Sequence, residues 1–334
     1  MQYLCRKKFG MKILGLGSAL IDLLIRIDND EILEQLGFPK GSMQLVDDSG
    51  YNRLSEFIAG FESVKAPGGT ACNTMRALRH LKGDIGFIAK VGTDSHAYMY
   101  RKELERIGVT SYLIHDGRKP TGVATTFVSP DGERTFGTYL GASLLLNAED
   151  LDPTVFDGYD CFYLEGYKLV NYPLVLRTAQ IAKEKGIKYA IDLGSYNMVE
   201  EHIEFLKPFV REYVDILFAN EEEARAYTGK EKWEALNELS RDADLCIVKL
   251  GAEGALIKKG GAAVHIPTLP ITPLDTTGAG DFFSAGFLYG YSQNLPLATC
   301  GTIGNLLASH VIRYMGSNLP DEAWAEIKEQ IKRI

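Results

Sequence analysis

The chain has 334 residues, 46% hydrophobic and 24% charged, which is ordinary globular composition and ample for a sizeable buried core. Its formal net charge of −8 includes no basic run, so nucleic acid is not an expected partner. No apolar run reaches the ~20 residues of a membrane span, and "MQYLCRKKFG" is followed by no signal-peptide core, so no membrane partner is expected either.

Residues 1–10 read as an unstructured extension, with Met11 an alternative start. "MKILGLGSALIDLLIRID" and "SMQLVDD" are strand-like, and "NTMRALRHLK" has helical spacing. "YLIHD" is a further short strand. "GVATTFVSPDGERTFGTYLGAS" reads as two alternating strands around the turn cluster "SPDGE". Together these predict a small sheet inserted among the first βα units, drawn from about 18–48 and 110–141, that acts as a lid over a cleft. Its exposed face needs cover, from substrate or from a second copy of the chain. A monomer and a lid-to-lid homodimer are both compatible with that.

From about residue 157 strands and helices alternate. "YDCFYLEGY", "IKYAIDL", "VDILFAN" and "DLCIVKLG" are strands, and "NYPLVLRTAQIAKEKG" is a helix ending at Gly186. This pattern predicts a mostly parallel sheet covered on both faces, with ligands at the carboxyl ends of its strands. The five cysteines (Cys5, Cys72, Cys161, Cys246 and Cys300) have no C-x-x-C spacing and read as reduced thiols in a cytoplasmic protein. The six histidines show no metal-ligand spacing.

"DTTGAGDFFSAGFLYG", residues 275–290, carries the chemistry. Phe282, Phe283, Phe287 and Leu288 recur at helical spacing. Before them Gly278, Ala279 and Gly280 have no bulky side chain, so the backbone can approach a ligand and point N–H groups at one spot. With the helix N-terminus behind them they form an anion hole needing no Lys or Arg. Asp281 in the first turn is by itself a capping acid; beside an anion hole it can also take a proton from an attacking hydroxyl.

These residues resemble the C-terminal signature of the ribokinase-like (PfkB) carbohydrate and nucleoside kinases. Further stretches follow that family's order: "GSALIDLLIRID" like its first strand, "APGGTACNTMRALRHLKG" like its G-G-x-x-x-N signature, "NEEEARAYTG" like its N-x-x-E stretch, and "VKLGAEGALI" like its nucleotide-binding turn. The resemblance covers roughly residues 11–330. It implies a ribokinase-like three-layer αβα sandwich with a mostly parallel central sheet and a small β lid. It implies ATP and Mg²⁺ as cofactors, and a sugar or nucleoside as the small-molecule partner.

Residue by residue, the resemblance makes Asp281 the base and Gly278, Ala279 and Gly280 the anion hole. It makes Asp22, Gly68, Gly69 and Asn73 contacts to sugar hydroxyls. Asn220 and Glu223 face the nucleotide phosphates and Mg²⁺, the latter partly through water; taken alone they are an N-capped acidic helix start. Gly251 and Gly254 become the bend of the nucleotide site, although two glycines three apart also suit an ordinary turn. Asn305 is assigned to the nucleotide. Lys249, where the family often has Thr, either reaches ATP phosphates or points to solvent. Arg134 is either a solvated hairpin cation or a lid residue over the transferred phosphate. Met43 either forms an apolar slot for a base or is plain core. Asp275 and Thr277 are where some relatives hold K⁺. Ser95-His96-Ala97 departs from the family, which commonly has Gly at the place of Ala97, near the substrate.

The expected activity is ATP-dependent transfer of the γ-phosphoryl to a primary hydroxyl of a sugar or ribonucleoside. "YVDILFANEEEA", "ERTFGTYLGAS" and "YLEGY" look closest to the adenosine-kinase-like branch. A catalytically weak binding regulator on the same fold is the other reading, opposed by the presence of Asp281. "GLGSAL" lacks the third glycine of a dinucleotide fingerprint, and P-loop and protein-kinase motifs are missing.

Overall fold

The computed structural model describes residues 10–268 and 270–334, so the expected extension lies, except for Gly10, outside the described residues. Strand β1 (Ile13–Leu16) runs almost directly into β2 (Leu20–Arg26). Next come α1 (Glu31–Leu36), β3 (Met43–Leu45), α2 (Asp48–Ile58), β4 (Val64–Gly68) and α3 (Thr70–His80). They are followed by β5 (Ile85–Val91), α4 (Ser95–Ile107), β6 (Thr110–His115), β7 (Thr121–Val128) and β8 (Arg134–Gly141). The alternating part holds β9 (Cys161–Glu165), α5 (Tyr172–Lys185), β10 (Lys188–Asp192), α6 (Tyr196–Tyr213), β11 (Ile216–Asn220), α7 (Glu221–Thr228), α8 (Lys232–Leu239) and β12 (Leu245–Lys249). A hairpin of β13 (Ala255–Lys259) and β14 (Ala262–Ile266) leads to α9 (Ala279–Ser292), α10 (Leu297–Val311) and α11 (Asp321–Ile331).

Nine strands form one sheet in the order β14-β13-β12-β11-β10-β9-β1-β5-β6. Only the pairs β12–β13 and β13–β14 are antiparallel. Because both faces are covered, the inner strands are apolar along their whole length; every residue of β5 is buried. Alternation still sorts their side chains. In β9, Cys161 and Tyr163 join the core beneath α3, α4, α9 and α10, while Phe162 and Leu164 join the core beneath α5 and α6. Among the described residues no helix is long and apolar enough to cross a membrane. Cys72, Cys161, Cys246 and Cys300 are buried free thiols; Cys5 lies outside the described residues.

The small sheet has the order β3-β8-β7-β2-β4. One face packs Leu23, Ile25, Val123 and Phe127 against Leu33 of α1 and Leu54 of α2. The register places Asp22, Leu24, Val64, Ala66, Thr126, Phe136, Met43 and Arg134 on the opposite face.

Two expectations need correction. The segment 110–115 is not lid: β6 pairs in parallel with β5 at the edge of the large sheet, and the lid instead recruits β4. Both are short strands of similar composition, and pairing partners, not local pattern, decide their sheet. The stretch 11–28 is not one strand but two, and the second, with Asp22, lies in the lid within the expected span 18–48. The chain changes sheet at Gly17-Ser18-Ala19, where a Cβ on Gly17 would stand 2.4 Å from the Glu165 carboxylate. Ala97 lies in the first turn of α4, fully buried in the core, with its N–H donated to the Asp94 cap at 2.8 Å.

Candidate active site

Four adjacent strands of the large sheet end on a polar residue: Glu165 on β9, Asp192 on β10, Asn220 on β11 and Lys249 on β12. Each follows an apolar run buried on both faces, so the polar groups line the carboxyl edge of the sheet. A cleft of about 830 Å³ opens there, lined by Asp192, Asn220, Glu223, Lys249, Gly251, Gly254, Ala279, Gly280, Asp281 and Asn305.

Helix α9 begins at its cap Gly278, whose φ of +77° suits glycine. The Ala279 N–H donates to the Thr276 carbonyl at 3.1 Å, so it is not available to an anion as expected. The N–H groups of Gly278, Gly280 and Asp281 meet no acceptor among the described residues. They form the exposed pole of the helix dipole. The Asp281 carboxylate accepts from the Asn73 amide at 3.0 Å, and Asn73 in turn accepts from the Ser317 hydroxyl at 2.9 Å. The Thr74 hydroxyl bonds the Asp281 carbonyl at 3.2 Å. Burial holds the Asp281 carboxyl well above the usual carboxylate range; the Asn73 amide and Lys249 oppose this, while Asp192 and Glu165 add to it.

Lys249 does not point to solvent. Its Nζ lies 2.8 Å from Asp192, which also accepts from Ser284 at 3.0 Å and from the Tyr163 hydroxyl at 3.3 Å. A Cβ on Gly280 would stand 3.2 Å from the Lys249 Nζ, so glycine there lets the ammonium lie against the helix pole. Burial works against the charged lysine, but Asp192 and Glu223 outweigh it and raise its pKa.

On the lid side, Asp22 faces Gly68. A Cβ on Gly68 would fall 2.2 Å from the Asp22 carboxylate, and one on Gly69, whose φ is +99°, would fall 2.1 Å from the Ser18 carbonyl. No donor among the described residues bonds the Asp22 carboxylate. Burial pushes it up to about 7; Arg76 draws it down and Asp275 pushes it up. Arg134 is not a solvated cation: its guanidinium pairs with Asp275 at 2.8 Å and donates to the Thr277 hydroxyl at 3.0 Å, tying the lid to the loop before α9. Asp275 also accepts from the Thr277 and Gly316 N–H groups, so both residues placed beside K⁺ already have a cation next to them. Met43 is not core; it is 52% exposed, on the same lid face as Asp22.

On the nucleotide side, Asn220 and Glu223 cap α7 reciprocally, each bonding the other's backbone N–H at 2.8 Å. Glu223 is nevertheless buried and lines the cleft. Burial pushes it up to about 7, with Lys249 lowering and Asp192 raising it. Gly254 has φ +93°, and a Cβ there would meet the Ile266 carbonyl at 1.9 Å; Gly251 has φ +54° with open space around it. Asn305 donates to the Ile266 and Pro267 carbonyls at 3.1 and 3.3 Å, so its side chain braces the cleft wall.

Two carboxylates escaped the sequence reading. Glu165 accepts from the Ser18 N–H at 2.7 Å, the Ser18 hydroxyl, the Thr70 hydroxyl at 3.0 Å and the Ala71 N–H at 3.3 Å, joining β9, the sheet crossing and the start of α3. Asp192 anchors Lys249. Glu165 sits in the quoted stretch "YLEGY" without having been singled out, and Asp192 in no quoted motif; the available signal was an acid closing an apolar strand.

The sequence matches the pfkB family of carbohydrate kinases over residues 46–324. The chain belongs to that family. The adenosine kinase of Sinorhizobium meliloti has the same fold at a TM-score of 0.84, with 32% identity over 96% of this chain and 99% of that one. The adenosine kinase of Dictyostelium discoideum is 26% identical over 93% of this chain and 97% of its own. The 5-dehydro-2-deoxygluconokinase of Lacticaseibacillus casei is 28% identical over 80% and 86%. The protein is thus a kinase acting on an alcohol group, with a ribokinase-like fold. Its family implies ATP as phosphoryl donor.

Proposed function

We propose that the kinase transfers the γ-phosphoryl of ATP to the primary hydroxyl of a ribonucleoside. The observation that carries this is the Asp281 carboxylate, held by Asn73 beside the free N–H groups of Gly278, Gly280 and Asp281. A hydroxyl placed there loses its proton to Asp281 as its oxygen bonds phosphorus, the bond to the ADP oxygen breaks, and the N–H groups steady the phosphoryl oxygens. The unbonded Asp22 carboxylate has room for two sugar hydroxyls, because Gly68 and Gly69 keep side chains out of its way. Lys249 and Arg134 bring positive charge from the sheet and the lid.

Mg²⁺ fits the donors present. Among the described residues no group of three metal-ligating side chains comes together, so the ion would be held by Glu223 and Asp192 and completed by phosphates and water. Bound with the nucleotide, it neutralises phosphate charge. The reading needs no K⁺ at Asp275, because Arg134 already gives that carboxylate a cation.

The nucleoside is favoured over a bare sugar by the lid face that carries Asp22. Met43 is 52% exposed, Leu45 65% and Val64 69% on that face, an apolar surface suited to a purine or pyrimidine ring. The adenosine kinases among the relatives support the same choice. A simple sugar is the second reading, supported by the sugar kinase relative; it leaves the apolar face bare and calls for a second copy laid lid to lid. The test is ADP release from Mg-ATP over a panel of ribonucleosides and sugars, with Asp281→Asn as control. A nucleoside response lost in the variant is the expected result. A sugar-only response makes the second reading right. Silence with ATP still bound overturns the kinase mechanism.

A further inference from the structure

A second cavity, of about 560 Å³, lies outside the cleft between β4, α3, α4 and the segment 317–324. Its rim is basic: Lys65, Arg76, Lys102 and Arg106 line it, with Arg106 held by Glu103 at 2.7 Å and Lys102 by Glu105 at 2.9 Å. That is a local reversal of charge on a chain whose formal charge is −8. Lys65 has no hydrogen bond or ion pair among the described residues. Arg76 is 6% exposed; it donates to the Pro67 carbonyl at 2.8 Å and to Asn318, stands 3.7 Å from Glu103, and its Nε meets no acceptor among the described residues. A buried guanidinium with an idle donor and no carboxylate within hydrogen-bond distance attracts a further anion. Beside this charge the cavity offers Tyr98, 57% exposed, with Arg101 and Lys102 each 5.7 Å from its ring centroid, and buried Trp324. A cationic rim next to an open aromatic surface is chemistry for an anion carried on a flat apolar body.

We propose that this cavity is a second ligand site that takes a small aromatic phosphate ester. The phosphate lies among Lys65, Lys102 and Arg76, and the ring lies on Tyr98. The site is separate from the ATP cleft, and it is wired to the acceptor side of that cleft. Arg76 is the cation whose charge favours the ionised form of Asp22. Its partner Asn318 adjoins Ser317, which holds Asn73 against Asp281. An anion bound at Arg76 offsets that charge. The Asp22 carboxylate then holds its proton more strongly and accepts hydroxyls less well, so the occupant raises the acceptor KM more than it lowers kcat.

The experiment uses fluorescence, because Trp324 lines the cavity and Trp233 is the only other tryptophan of the chain. In Trp233→Phe protein, titration with phenyl phosphate at low salt should change Trp324 emission saturably, and inorganic phosphate should do so more weakly. The triple variant Lys65→Glu, Lys102→Glu, Arg106→Glu lies outside the catalytic machinery. It should weaken phenyl phosphate at least tenfold, and the acceptor KM of the variant without the probe is the baseline against which the probe is read. The acceptor KM should rise with phenyl phosphate in the parent and not in the triple variant. No emission change up to 10 mM, or binding indifferent to the charge reversal, overturns the site. Binding without an effect on KM overturns its link to Asp22. The binding arm is independent of any assignment of acceptor, so it stands or falls apart from the proposed reaction.

Discussion

Replacing Asp22 by Asn should stabilise the folded protein and disable it as a kinase. In the unfolded chain this carboxyl titrates near 3.8, and in the fold burial pushes it up to about 7. Between those values the folded state binds more protons than the unfolded state. Stability therefore falls as pH rises through this window, and the full cost is reached only above it. At 1.36 kcal/mol per pH unit the ceiling is about 4 kcal/mol. Asp22 keeps partial contact with solvent, which screens the effect, so about 2 kcal/mol is the working figure. Unfolding entropy of about 2.1 cal/mol/K per residue over 334 residues turns this into a Tm rise of about 3 °C for Asp22→Asn. Thermal unfolding at pH 8 should show that rise, and at pH 4 the variant and parent should coincide. In the same variant kcat/KM should fall about 10²–10⁴-fold, because two hydroxyls lose a charged acceptor worth about 1.5–3 kcal/mol each. A variant no more stable than the parent at pH 8, or a difference that does not change with pH, would refute the reasoning.

Asp281→Asn should lower turnover about 10²–10⁴-fold with little change in Tm, and a steady-state assay reads both the loss and its pH dependence. Since burial raises this carboxyl, the parent's kcat/KM should decline on the acid side at a pH above the ordinary carboxylate range; a decline confined to that range would contradict this. Glu223→Gln should raise the Mg²⁺ concentration for half-maximal activity about 10–100-fold. It should also remove the loss of Mg²⁺ affinity seen below about pH 7, where the parent's Glu223 takes up its proton. Gly254→Ala should cost about 2–4 kcal/mol, because φ is +93° and the new Cβ meets the Ile266 carbonyl at 1.9 Å. Gly251→Ala, with φ +54° and open surroundings, should cost only about 1 kcal/mol. Equal Tm losses in the two would show that the contact with Ile266 is not the cause.

The sequence by itself determined the class of fold and the family. Strand and helix periods from residue 157 onward are local properties, and each apolar strand could only be satisfied in a sheet covered on both faces. The glycine-rich start of α9 was readable because small side chains and a following apolar helix lie next to one another in the chain. Asn220 and Glu223 were legible for the same reason, since a reciprocal cap needs only a three-residue spacing.

What the tertiary structure decided involves groups far apart in sequence. Nothing local assigns β4 to the lid and β6 to the core, because both are short strands whose sheet depends on long-range pairing. Neither Asp192 nor Glu165 stands out in a motif, and their partners are 57 and 147 residues away. Lys249 and Arg134 could each have been solvated cations. The Lys249–Asp192 pair exists only because the ends of β12 and β10 lie at one edge of the large sheet, and the Arg134–Asp275 pair only because the lid meets the loop before α9. The charge state of Asp22 and Asp281 is likewise a tertiary property. Desolvation and distant charges set it, and neither is written in the neighbouring residues.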